Sequence, residues 1–366
     1  MDFMPSSRND DTDDMRDVTV WGFIFINGAP LPGSRSRQAR GDEHVLGSGS
    51  KQRPNGLDFN LASFWKYYIR ECEYAIHDGG RHIALRTQQD VVEVAAQLEA
   101  GLTRTEIKED LRRKLTSPHD NEDELLEDSI NLVSNLLLMM GCGIFSHGFS
   151  GRTEIMWTQG SLRQHLVDYF GQPPVLGHER VKREKNFTAR NLGRIAGLEI
   201  VWTDNLADHL RMSDDNTKVH IFHHASFLEC QRRTSESLLP DGVATETLQT
   251  LALLLPSYDT ETRKWFNTTT DLDTEAIECG QLRDDRRQIE TFTVWRDRLV
   301  MLKQVFDEAQ PRTMSQWWHD RRNRVQWYTF WVAILVLVLT IIFGLIQSVE
   351  GALQVYISFK SMTASG

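Results

Sequence analysis

The sequence predicts an α+β fold. It comprises a helical N-terminal region, a small α/β region with two related strand–turn–helix units, an amphipathic helical stalk and one C-terminal transmembrane helix. Three observations carry this reading. Trp327 to Ile346, WYTFWVAILVLVLTIIFGLI, holds no charge, and about twenty residues at 1.5 Å each match the hydrocarbon core of a bilayer. From Asp58 onward apolar residues recur at intervals of three and four, the period of a helix with one buried face. Finally, the pattern E-I-x-W-T followed by L-x-x-H-L occurs twice, in Glu154–Leu166 and Glu199–Leu210.

Residues 1–56 read as a disordered or linker segment with one strand. The first sixteen are acidic and polar, with too little apolar surface to offset the entropy of ordering them. Val18–Gly28 mixes β-branched and aromatic residues and ends in Asn27-Gly28, a strand meeting a turn. Pro30 to Gly56 has linker composition, rich in Gly, Ser, Pro and Arg. Residues 57–142 form the helical region. Leu61, Phe64, Trp65, Tyr68, Ile69, Cys72 and Ile76 give an amphipathic helix closed by Gly79-Gly80, and further helices are expected at about 88–100, 103–115 and 123–140, the last ended by Gly141.

Residues 143–257 make the α/β region. Each copy of the repeated pattern places Ile and Trp on a strand, then a polar cap, then a helix with Leu, His and Leu on one face. Two such units would pack as related halves, with Trp157 and Trp202 equivalent and KVHIFHH (Lys218–His224) as an added strand. Residues 258–326 return to helix. Thr291–Ala309 puts Phe292, Trp295, Leu299, Leu302, Val305 and Phe306 on one face, Pro311 breaks it, and Trp317 and Trp318 precede the membrane. The span is 327–346, and 347–366 is a short tail.

Arg321, Arg322 and Arg324 stand before the span, and only Glu350 and Lys360 are charged after it. The positive-inside rule therefore puts the large domain in the cytosol. No apolar h-region opens the chain, so a tail-anchored protein is expected. The sequons at Asn186 and Asn267 would matter only if that domain faced the lumen. Thr340, Gly344, Ser348 and Ala352, four apart, form a stripe of small residues through which spans can associate with each other or with another protein's span. The expected partners are thus the lipid bilayer and other proteins. A net charge of −10 argues against nucleic acid, whose phosphates need a basic surface.

No residue is assigned a catalytic, cofactor-binding or metal-ligating role. His220, His223, His224 and Cys230 have the right chemistry for metal ligands, but on a strand His220 and His224 share a face and His223 takes the other. His165 and His209 recur between leucines, in a structural role. No nucleophile elbow, zinc-protease helix or phosphate-binding loop is present. Gly141-Cys142-Gly143 follows a helix rather than a strand, which excludes a dinucleotide fingerprint. Gln97–Leu115 has helix–turn–helix periodicity, but Arg104, Lys108, Arg112 and Arg113 alternate with Glu106, Glu109 and Asp110 in the manner of a solvated face. Cys72, Cys142, Cys230 and Cys279 are widely spaced, as reduced thiols are.

Three stretches, 186–231 (NFTARNLGRIAGLEIVWTDNLADHL and onward), 238–256 (LLPDGVATETLQTLALLLP) and 317–356, resemble a large family of uncharacterised fungal single-pass membrane proteins. The resemblance implies one C-terminal span and a fungal source, and it brings no activity, cofactor or site residue. The leading functional reading is a membrane-anchored scaffold or interaction protein. A membrane-tethered enzyme with an unrecognised site is the alternative.

Overall fold

The computed structural model describes residues 60–76, 81–115, 121–143, 151–176, 186–234, 237–283, 285–309 and 324–364. The expectations for residues 1–56, for Gly79-Gly80 and for Trp317, Trp318, Arg321 and Arg322 lie outside the described residues. The chain divides into two units, a body of Met1–Gly193 with Leu198–Glu308, and a second unit of Arg194–Gly197 with Ala309–Gly366.

The body opens with helices α1 (Ala62–Ile76), α2 (Gln88–Glu99), α3 (Arg104–Lys114) and α4 (Glu122–Leu138). Thr87 with Asp90 and Thr103 with Glu106 form capping boxes that start α2 and α3, satisfying amides that no helix turn can reach. The centre of this half is α4, against which α1, α2 and α3 pack. It buries Leu125, Leu126, Ile130, Val133, Leu136 and Leu137, and also Ser129, Asn131, Ser134 and Asn135. Buried polar groups need partners. The Ser129 hydroxyl donates to the Leu125 carbonyl and accepts the Ala84 amide, each at 2.7 Å, and Asn135 Oδ1 accepts the Cys142 amide at 2.6 Å. The helix stops at Leu138, short of the expected Met140, because Met139 turns left-handed with φ 49°. Met139 is fully buried there, and its carbonyl accepts the Leu206 amide at 2.7 Å.

Two short parallel strands follow, β1 (Gly141–Cys142) and β2 (Glu154–Ile155), then α5 (Leu162–Phe170) and α6 (Ala189–Arg194). A second sheet holds β3 (Glu199–Thr203), β4 (Met212–Ser213) and β5 (Lys218–Phe222) in the order β3-β5-β4. Strands β4 and β5 are antiparallel, joined by a turn in which Asp214, Asp215 and Asn216 all have positive φ, a conformation Asp and Asn tolerate better than other side chains. Strands β3 and β5 are parallel, with Thr203 paired to Phe222.

The two repeated motifs both open on a strand, then part company. After β2 the chain caps with Ser161 and forms the nine-residue α5; after β3 it forms a three-residue 3-10 turn, Leu206–Asp208. The strand–turn–helix equivalence is therefore corrected. Asn205 and Asp208 take on other bonds in the second copy: Asn205 Oδ1 accepts the Gly141 amide, and Asp208 Oδ1 accepts the Thr153 amide and hydroxyl. These tie the turn back to β1 and β2 instead of letting it extend. Trp157 is buried under Arg104, whereas Trp202 is half-buried against Trp265 and Phe266.

Helices α7 (Ala225–Arg233) and α8 (Val243–Leu254) pack together, followed by α9 (Thr260–Asn267), several 3-10 turns and α10 (Arg296–Glu308). The predicted helix from Thr291 starts five residues late. The Glu246 carboxylate on α8 accepts the amides of Thr293, Val294 and Trp295 at 2.8, 3.1 and 2.7 Å, holding them outside the helix. Phe292, Trp295, Leu299, Leu302 and Phe306 are nonetheless buried as the pattern requires.

In the second unit, α11 runs from Arg324 to Ala364, 41 residues. Its stretch Trp327–Ser361 is long and apolar enough to cross a membrane, and its most apolar part has none of its residues buried. The helix continues past Ile346, where Val349, Leu353, Val355, Ile357 and Phe359 keep the segment apolar and no proline interrupts it. Thr340, Gly344, Ser348 and Ala352 lie on this one continuous helix, where steps of four drift by about 40° each.

Candidate functional site

Parallel pairing of β3 and β5 puts their C-terminal ends side by side. The residues that follow, Asp204 after Thr203 and His223-His224 after Phe222, must therefore meet. They do so at one carboxylate. Asp204 Oδ1 accepts His223 Nε2 at 3.1 Å and His224 Nε2 at 2.6 Å, while Oδ2 accepts Arg70 Nη2 of α1 at 2.7 Å. The two imidazoles stack with centroids 4.1 Å apart; Tyr67 edges onto His224 and Trp202 onto His223. On the far side, the Asp273 amide donates to His223 Nδ1 at 3.2 Å, and Asp273 Oδ2 accepts the amide and hydroxyl of Ser226 at the start of α7.

The electrostatics follow from these contacts. Burial opposes ionisation of Asp204, but the hydrogen bonds from both histidines and the charge of Arg70 outweigh it and hold its carboxyl well below the usual range. Burial pushes the His224 imidazole below its ordinary value, against the pull of Asp204. The cluster is therefore an ionised carboxylate receiving N–H bonds.

Asp204 Oδ1 and one ring nitrogen from each of His223 and His224 lie within 4.8 Å of one another, close enough to hold a metal ion. The proton positions oppose it. A backbone amide can only donate, so His223 Nδ1 is the acceptor and Nε2 carries the proton, leaving no lone pair toward a metal. Ligating histidines usually donate their second N–H to an acceptor, yet His224 Nδ1 is buried with no partner. Arg70 already occupies the other carboxylate oxygen. The same tautomer removes His223 as a general base. A second group, His82, Glu124 and Asp128, meets the same distance test at the start of α4, where burial and then Glu124 raise the Asp128 carboxyl to about 6.

The structure separates the other residues singled out in the sequence. His220 does not share a face with His224: its Nε2 pairs with Ser213 Oγ at 2.9 Å across β4, while His223 and His224 act together beyond the strand end. Cys230 lies buried on α7, where burial pushes its thiol up to about 12. His165 is half-buried on α5. His209 is fully buried; its Nδ1 accepts the Phe222 amide, its Nε2 pairs with Thr250 Oγ1 at 2.7 Å, and burial with the nearby Arg298 lowers it to about 3. In the helix–turn–helix-like pair, the cations of α3 meet carboxylates: Arg104 and Lys108 bind Glu127, and Arg112 binds Glu122 and Asp123. Sequence reasoning missed Asp204, Arg70 and Asp273. The available signal was the acidic residue directly after the E-I-V-W-T strand.

Of the sequons, Asn186 is followed by the buried Phe187 and Thr188, whereas Asn267 is exposed at the end of α9. Comparison with protein-family models, with curated proteins and with solved structures gives no match.

Proposed function

We propose that this chain is a single-pass membrane-anchored protein, held by α11, whose body is an interaction module on the cytosolic side. The observation that carries the reading is α11 itself: Trp327–Ser361 is an apolar helix with its side chains exposed, a surface that water does not tolerate and acyl chains do. The arginines before it and the near absence of charge after it support the cytosolic side for the body. The body's polar cluster has a structural role, because Asp204, His223 and Arg70 bond one another.

The test uses sealed membrane vesicles carrying the full chain. Alkaline carbonate should leave the protein in the membrane, and protease added outside vesicles that keep their cytosolic face outward should digest the body. A glycan on Asn267, the exposed sequon, would reverse the orientation. Release by carbonate would remove the anchor.

A further inference from the structure

We infer that the distal part of α11, Gln347–Ser361, is a second membrane element that lies along the lipid–water interface, its apolar arc among the acyl chains and a narrow polar stripe toward water. This rests on the membrane anchoring proposed above. The first argument is length. The 35 residues of Trp327–Ser361 make about 52 Å of helix, against a hydrocarbon core of about 30 Å. Fitting all of it into the core needs a tilt of about 55°, beyond the roughly 0–40° that spanning helices adopt. Some fifteen residues are left over, and they are not water-loving. Val349, Leu353, Val355, Tyr356, Ile357 and Phe359 are between 53% and 71% exposed.

The second argument is angular. At about 100° per residue, Gln347, Glu350, Gln354, Ser358 and Ser361 fall within a sector about 80° wide. The six large apolar residues occupy the rest of the circumference. Of the seven polar or charged side chains in the segment only Ser348 and Lys360 fall outside this sector, and the Ser348 hydroxyl can bond a helix carbonyl one turn back; a segment wholly in water would not need the segregation. A helix lying in the interface does. Lys360 is the one charge outside the sector; it sits near the helix end, where its long stem lets the ammonium reach the headgroups.

A second copy of the chain is the competing occupant, with the polar stripe as a seam. Glu350 opposes it. In a symmetric seam each Glu350 would face another carboxylate in a low-dielectric setting, whereas at the interface it faces water. Lying flat requires a bend after the span. Helix α11, continuous in the structure, would bend there on the membrane, and Gly344 and Gly351, the residues of lowest helix propensity on either side, are where it gives most easily.

The experiment is a cysteine scan of the full chain in phosphatidylcholine vesicles, read by a membrane-impermeant maleimide that adds mass. The probe must reach the distal end, so vesicles of both orientations are used and the maleimide is sealed on both sides. Cysteine at Glu350, Gln354 or Ser358 should react at least about tenfold faster than at Leu353, Val355 or Ile357. Equal, fast reaction at all six makes the segment an aqueous tail and overturns the inference. Slow reaction at the three stripe positions also overturns it; disulfide trapping between copies at Gln354 would then assign the stripe to a second chain. Cysteines at Val336 and Leu339 report separately on the anchor: they should stay unreactive, and their rapid labelling would sink the membrane reading itself.

Discussion

Removing the Asp204 carboxylate should unfold the body more easily, and the geometry sets the scale. Asp204→Ala orphans two buried imidazole N–H groups, at about 1–3 kcal/mol each, and frees Arg70 from its partner. Arg70 keeps 40% of its side chain in water, so its share is small. The expected loss is about 4 kcal/mol. Asp204→Asn keeps one oxygen for the histidines but removes the charge that strengthens the bonds and turns an amide toward Arg70, so it should cost about 2 kcal/mol. The assay is urea unfolding of the full chain in detergent, followed by tryptophan fluorescence. The order Ala worse than Asn worse than wild type is expected, with no effect of a chelator on wild type. An unchanged midpoint for Asp204→Ala refutes the stabilising role of the Asp204 cluster. A wild-type midpoint that falls with chelator restores a metal to the site and refutes the tautomer argument.

Four further outcomes follow. His209 is lowered to about 3 while its unfolded value is about 6.5, so the unfolded chain binds the extra proton between those values. Stability should therefore fall as pH drops from about 6.5 toward 3, by up to roughly 4 kcal/mol, and His209→Gln should flatten that slope in pH-dependent unfolding. Asp204 has the depressed value of a paired carboxylate, so its contribution is present above about pH 4 and is lost in stronger acid; Asp204→Asn should lower stability above that pH and flatten the acid limb. Asp128 is raised to about 6 and therefore opposes folding at neutral pH; Asp128→Asn should stabilise the body by about 1 kcal/mol after allowing for solvent screening, visible as a higher unfolding midpoint. Glu246→Ala leaves three backbone amides and the Thr293 hydroxyl without their acceptor and should cost about 3 kcal/mol, measured in the same titration.

Helix periodicity was legible because it is a local property. The leucines of α4 and the aromatic face of α10 repeat at three and four, and both faces are buried. What escaped was set by partners far away in sequence. Nothing within Thr291–Trp295 forbids helix; a carboxylate from Glu246 takes its amides. Nothing within Asp204–Leu210 forbids the helix that its counterpart forms; Asn205 and Asp208 are drawn to Gly141 and Thr153. The site followed the same rule. His223 and His224 stood out by residue type, but their orientation depended on β5 ending at Phe222. Asp204 became their partner only through the parallel register of two strands nineteen positions apart, Thr203 to Phe222. The span needed no partner to be recognised, because its apolar length is written in consecutive residues.

The Glu246 contact has a mechanical side. Among the described elements of the body, helix α10 is the last in chain order before α11, so a pull passed along the backbone reaches the body first at Glu308. A helix attached by one bond at its tip would peel away one contact at a time. Here a single carboxylate holds three successive amides at the N-terminal end of α10, the end away from that pull, and Trp295 adds a bond from its ring nitrogen to Thr247 at 2.8 Å. A pull that unwinds α10 from Glu308 would therefore meet these bonds last, and there they share the load. Unravelling would stop at Trp295, where the tension passes into α8.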